Sequence, residues 1–217
     1  TINRRISVMQ GMHSRATKIW KYKTQPIYFN ALKLKEATAP DNTLLYKDVQ
    51  KLWDAAPAHL KHFIMVSLYT GWRMTNVLTL TKEQINLRNH TVTTIGKGGK
   101  LIVSPISDAF ESYIRANELH EMDFVCAYKG KPVSSVKTAW KRLFKHTKVK
   151  PIRIHDLRHT FGTWLYEQTG DQRLVQEMLH HSDIKTSMRY THTKRELQRD
   201  KLNKAINFEF NQVKAIK

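Results

Sequence analysis

A chain of 217 residues, 41% hydrophobic, is long enough to bury a sizeable core, and its composition excludes a low-complexity or fibrous protein. Its 37 Lys and Arg against 18 Asp and Glu give a formal charge of +19, which strains a compact fold by self-repulsion and points to a polyanionic partner, nucleic acid before a membrane surface. No apolar run reaches the roughly 20 residues of a membrane span, no signal-peptide pattern opens the chain, and the single cysteine, Cys126, excludes an internal disulfide and fits a reducing, cytoplasmic setting.

The first forty residues carry eight Lys or Arg against one acidic residue, Glu36. Within "NRRISVMQGMHSRATKIWKYK" the apolar positions Ile6, Met9, Met12, Ala16 and Ile19 approach helical spacing, predicting one or two basic amphipathic helices. Because the chain opens on Thr1, we expect a fragment whose N-terminal neighbour is missing. "KEATAPDNT" is the best linker candidate. Thr43 is expected to cap "LLYKDVQKLWDAA", with Leu45, Val49, Leu52 and Trp53 on its apolar face. Pro57 opens the more buried "AHLKHFIMVSLYT", which Gly71 ends.

"HTVTTIGKGGKLIVSPIS" places β-branched runs on either side of a Gly-rich turn, the clearest hairpin signal. Helical patterns follow in "SDAFESYIRANEL", "SSVKTAWKRLFKHTK" and "HDLRHTFGTWLYEQTG", the last ending at Gly170 before Asp171 caps "QRLVQEMLHH". Residues 194–211 form a final charged helix. The fold class predicted is mainly α with a small antiparallel sheet, α+β.

Several residues could carry chemistry. His155 and His159 are four apart and could chelate zinc as H-D-x-x-H, with Cys126 or His181 as a third ligand. An arginine one turn away, Arg158, opposes that reading. His155 and Arg158 could instead donate to an anion, with Arg73 supplying a second guanidinium fork. Ordinary capping or core histidines remain open as well.

The order of these pieces is more specific than any one of them. "TGWR", a hairpin with "GKGGK", "HDLRH" and "LHHSDIKTSMRYTH" together resemble the tyrosine recombinase (phage integrase) family, over about residues 43–195. Arg73 matches that family's first arginine, Lys97 its hairpin lysine, and His155 and Arg158 its H-x-x-R. His181 matches the second histidine, and Tyr190 stands nine residues later. Two positions depart from the pattern: His180 replaces the usual Gly, and Asn76 stands where an acidic residue is usual.

The resemblance implies a tyrosine-recombinase catalytic domain over 43–195, a linker at 36–42, and the tail of a DNA-clamping helical domain over 1–35. A C-terminal helix or tail spans 196–217; its apolar Leu197, Leu202, Ile206 and Phe210 suit docking on a neighbouring subunit or within its own chain. Double-stranded DNA attachment sites, a homotetramer and accessory DNA-bending proteins are the implied partners, with no membrane and nucleoid association in the cytoplasm.

The implied chemistry is attack by a phenol on a phosphodiester. Only on the order of 0.1% of free tyrosine is ionised at pH 7, so Tyr190 needs cationic neighbours or a proton acceptor. Arg73, Arg158 and His181 would stabilise the charge gathering on the phosphoryl oxygens, and His155 would take the phenol proton or bind the phosphate. Lys97, or Lys100 three residues later, would protonate the leaving alkoxide. Bond energy is conserved in the phosphotyrosine, so no cofactor and no metal is expected. Leu179 and Met188 are expected in the core, and His180, Arg189 and His192 at the surface or against the DNA backbone. A type IB topoisomerase, a DNA-binding protein without catalysis, and a zinc hydrolase are the alternatives.

Overall fold

A computed structural model describes residues 2–35, 42–96, 98–180, 199–204 and 206. The chain divides into two compact units, 1–41 and 42–217.

In the first unit a single helix, α1 (Ile2–Lys18), satisfies the amphipathic pattern, and residues 19–28 return without helix. The side chain of Asn3 closes the return. Its amide donates to the Leu34 carbonyl and its oxygen accepts from the Leu34 N–H, both at 2.8 Å. His13 meets Phe29 edge-on, at 5.5 Å between rings, on a 3₁₀ turn (Phe29–Leu32). Val8, Met9 and Met12 stay exposed on the helix.

The second unit is built around α3 (Ala58–Thr70), which runs from Pro57 to Gly71 as the sequence predicts. Ten of its residues are buried, Phe63, Ile64 and Leu68 completely. Each such side chain taken from water contributes about 1.5–3 kcal/mol, so this helix anchors the core. It packs against α7 (Asp156–Thr169), which buries Leu157, Phe161 and Leu165. Helix α2 (Tyr46–Ala55) lies on α6 (Lys137–His146), and α8 (Gln172–Met178) on α7. Asp171 caps α8, its carboxylate accepting from the Leu174 N–H at 2.9 Å. Between α4 (Met74–Leu78) and α5 (Asp108–Ala116) runs a three-stranded antiparallel sheet ordered β1 (Ile85–Asn86), β2 (Thr91–Ile95), β3 (Leu101–Pro105). The β2–β3 hairpin is the one predicted, closing at Ile95 opposite Leu101. A second hairpin, β4 (Ala127–Tyr128) and β5 (Lys131–Pro132), follows. The architecture is the expected α+β. Among the described residues no helix is long and apolar enough to cross a membrane.

One expectation is corrected. Leu45, not Thr43, occupies the cap position of α2, with no side-chain cap bond, and Leu45 is exposed. Residues 42–44 are drawn instead along α7. Asn42 donates to Asp156 at 3.1 Å, Thr43 to the Thr163 hydroxyl at 3.3 Å, and the Leu44 N–H to the Thr160 hydroxyl at 3.1 Å. Trp164 donates back to the Leu44 carbonyl at 3.1 Å and stacks on Tyr46 at 4.3 Å. These α7 partners sit at helical spacing on one face, and that tertiary zipper outcompetes local capping.

The final segment is helical over 199–204 and lies on its own chain. Arg199 pairs with Asp108 and, at 3.3 Å, with Glu111; Lys201 reaches Asp171 at 2.6 Å. Asn203 accepts from the Asp108 N–H at 2.8 Å, capping α5 from outside, and Leu202 and Ile206 are fully buried. Leu197, Phe210, Met188, Arg189, His192 and residues 36–41 of the linker lie outside the described residues.

The core also contains a titrating group. His62 is buried with its Nδ1 2.9 Å from the Tyr113 hydroxyl, and burial, then the Lys61 charge, push its pKa down to about 4. In the unfolded chain the ring titrates near 6.5, so between these values only the unfolded state takes the proton. Stability is therefore full above about pH 6.5 and falls toward pH 4 by on the order of 3 kcal/mol. Denaturant titrations at pH 7 and 4.5 check this: His62→Asn should lose much less stability on acidification than the wild type. Equal losses would remove His62 from the explanation.

Candidate active site

Gly71 sets the geometry. It ends α3 in the left-handed region, φ +63°, and a β-carbon there would lie 2.4 Å from Phe161 Cδ1 and 2.9 Å from Leu179 Cδ2. This turn aims Arg73 outward from the cap position of α4, while Trp72 behind it is buried.

Arg158 comes from the first turn of α7 and is only 5% exposed. Its guanidinium donates through Nη1 to the Gly71 carbonyl at 2.8 Å and through Nη2 to the Leu179 carbonyl. It thus bridges the segment before Arg73 to the segment before His181. Among the described residues no carboxylate pairs with it. Burial and, second, the Arg73 charge push its pKa down to about 10, still far above neutrality. Two like charges, one of them desolvated, thus act on each other here.

His155 stands at the cap position of α7 with its ring 5.0 Å from that of His159, edge to face. Burial, and then the charges of His159 and Arg158, lower its pKa below the ordinary value, so the ring is neutral at pH 7 and able to accept a proton. His155, Trp72 and Met74 line one cavity of about 350 Å³ with Phe63, Lys137 and Arg153. The structure thus gathers Arg73, His155 and Arg158. Lys97, His181 and Tyr190 lie outside the described residues. Lys100 is exposed at the end of the hairpin turn, where its carbonyl accepts from the Gly96 N–H at 2.7 Å. Cys126 is buried in the core with its thiol pushed up to about 12, a poor setting for a ligating thiolate.

Asn76, where an acid is usual, spends both amide hydrogens on β2: 2.8 Å to the Thr94 hydroxyl and 2.8 Å to the Ile95 carbonyl. It fixes the strand that leads into the lysine turn. His180, expected at the surface or against the DNA backbone, instead turns partly inward. Its ring is half-buried and its Nε2 lies 2.9 Å from the Ser104 hydroxyl on β3, because the backbone adopts φ +50° there.

Asp156 was weighed in the sequence only as the middle of a metal motif. Burial pushes its carboxyl up, but hydrogen bonds and charge from Arg153 outweigh that and hold it below the ordinary value. It accepts from the Arg153 N–H at 2.9 Å and Nη2 at 2.8 Å, fixing the approach to His155. The R-x-x-D spacing was the signal available.

These features define a basic site on a mainly helical α+β domain, and comparison with known proteins gives the chain a family. The chain belongs to the phage integrase family, which it matches over residues 42–196. It is 36% identical over 161 residues to tyrosine recombinase XerD of Halalkalibacterium halodurans, covering 66% of this chain and 53% of that one. It therefore spans about half the length of the XerD relatives it matches. Among solved structures it resembles the XerH site-specific recombinase bound to difH substrate before cleavage (26% identity, TM-score 0.53, 73% of this chain and 52% of that one). It shares its fold with a lambda integrase tetramer bound to a Holliday junction (18% identity, TM-score 0.59, 84% of this chain and 59% of that one).

Proposed function

We propose that this chain is the catalytic part of a site-specific DNA recombinase, an integrase of a phage or other mobile element, acting through a covalent phosphotyrosine. The observation that carries the reading is the buried Arg158 beside Arg73, a paired cation site with no carboxylate on Arg158 among the described residues. Tyr190 attacks the phosphorus, its proton passing to neutral His155, while Arg73, Arg158 and His181 hold the non-bridging oxygens. The P–O bond to deoxyribose breaks and Lys97, with Lys100 as the other candidate, protonates the leaving oxygen. A hydroxyl from another strand reverses these steps and rejoins the DNA. The recombinase relatives favour strand exchange over topoisomerase-like resealing.

In this reading residues 43–195 catalyse, 36–42 link, 1–35 end a DNA clamp, and 196–217 form a tail. Double-stranded attachment sites are the substrate, bound by a tetramer as in the lambda integrase complex, with DNA-bending proteins assisting in the cytoplasmic nucleoid. The test is covalent trapping. Nicked duplexes tiling the DNA around the protein's own gene are incubated with it in EDTA and run on denaturing gels. The nick lets the cleaved end diffuse away, so the adduct accumulates. We expect an adduct with the wild type and none with Tyr190→Phe. Binding to the same DNA with no adduct would leave a DNA-binding protein.

A further inference from the structure

Beside the Arg158 bridge runs a second one, made of residues outside the matched motif set. Trp72 Nε1 lies 3.1 Å from the Ser104 Oγ, and Ser104 Oγ lies 2.9 Å from His180 Nε2. Trp72 and Ser104 are both buried, Ser104 completely. An indole N–H can only donate, so the serine oxygen accepts from Trp72, and a second hydrogen bond joins the same hydroxyl to His180 Nε2.

Each member of this chain adjoins a different part of the proposed site. Trp72 immediately precedes Arg73. Ser104 lies on β3, paired with Val92 of β2, in the hairpin that carries Lys97 at its turn. His180 immediately precedes His181. The Arg158 bridge uses Gly71 and Leu179, the neighbours of Trp72 and His180, so the two bridges run side by side. Arg158 alone ties two of the three segments together; only the second bridge includes the hairpin.

The backbone at position 180 argues the same way. At φ +50° a glycine is unstrained and a residue with a β-carbon is not, yet histidine stands here. The bond from Ser104 is what the ring gains in that conformation. A buried hydroxyl bonded to two rings also tolerates little displacement, because moving either ring breaks one of its two hydrogen bonds.

We propose that Trp72, Ser104 and His180 are positioning residues: a hydrogen-bond relay that sets Arg73, the lysine hairpin and His181 relative to one another. The proposal rests on the recombinase reading for its functional consequence, not for the relay itself. A misplacement of about 1 Å among reacting groups can cost on the order of 100-fold in rate. Relay variants should therefore slow the chemical step while leaving DNA affinity intact.

The experiment compares wild type, Ser104→Ala, His180→Gly and the double variant in single-turnover cleavage of a nicked duplex at saturating protein. The expected result is a fall of about 10- to 100-fold in adduct formation for each single variant, with DNA Kd unchanged. The double variant should be no slower than the slower single one, since either substitution already opens the relay. His180→Gly relaxes the backbone, so a loss there belongs to the ring and not to strain. Cleavage by both single variants at the wild-type rate would overturn the proposal, as would a loss matched by weaker DNA binding. Amide and indole ¹H–¹⁵N spectra give a readout independent of activity. Ser104→Ala should shift the Trp72 indole resonance, and His180→Gly should move it too through the shared hydroxyl. If the wild type forms no adduct, the recombinase reading fails, and an indole resonance unmoved by His180→Gly then overturns the relay separately.

Discussion

Arg158→Lys is expected to reduce adduct formation by about 100- to 1000-fold while weakening DNA binding only a few-fold. The guanidinium performs two tasks at once. Its Nη1 and Nη2 hold the Gly71 and Leu179 carbonyls, and in the proposed function its charge would also face the phosphate together with Arg73. A lysine ammonium has one nitrogen, so it can satisfy one carbonyl or approach the phosphate but cannot span both. In the proposed function the rest of the basic surface, part of a formal +19, would still bind the DNA backbone, so affinity is the smaller loss. Single-turnover trapping beside a binding titration at fixed salt separates the two effects. An Arg158→Lys variant that cleaves within a few-fold of wild type would mean that the guanidinium is a structural bridge and nothing more.

Gly71→Ala is expected to be the most destabilising single-methyl change in the turn region. The left-handed φ of +63° costs an alanine about 1–2 kcal/mol, and the new methyl would press into Phe161 at 2.4 Å. Phe161 is fully buried and cannot step aside, which adds about 1–3 kcal/mol of overpacking. A total near 3 kcal/mol corresponds to a Tm lower by roughly 6–12 °C for a unit of this size. Gly98→Ala is the control. Its φ of +80° carries the same kind of strain, but nothing lies within 4 Å of the added carbon. Its Tm should fall by a few degrees at most. If the two variants melted together, the close approach of α3's end to α7 would not be limiting.

Much of this was legible in the sequence, for identifiable reasons. Pro57 and Gly71 bracket α3, Gly170 and Asp171 separate α7 from α8, and the Gly-rich turn announces β2 and β3, because each signal is local and matches its element. The two-residue strands β1, β4 and β5 and the five-residue α4 were missed: pieces that short hold no period to read. Thr43 was misjudged because its competitor, Thr163, lies 120 residues away. The site divides the same way. Arg73, His155 and Arg158 could be read from their order along the chain. That Arg158 would grip two carbonyls, that Asn76 would serve β2, and that His180 would turn inward to Ser104 depends on partners 18 to 87 residues distant.

The buried Cys126 has a practical consequence for watching this protein work. It is the chain's single cysteine, it is fully enclosed, and its thiol is held near 12, so almost none of it is the reactive thiolate at pH 7. A second cysteine introduced at the exposed Leu101, on β3 beside the turn, would then be the one fast-reacting thiol in the molecule. A fluorophore attached there would report changes around the hairpin when DNA is added, without first stripping the native cysteine from the core.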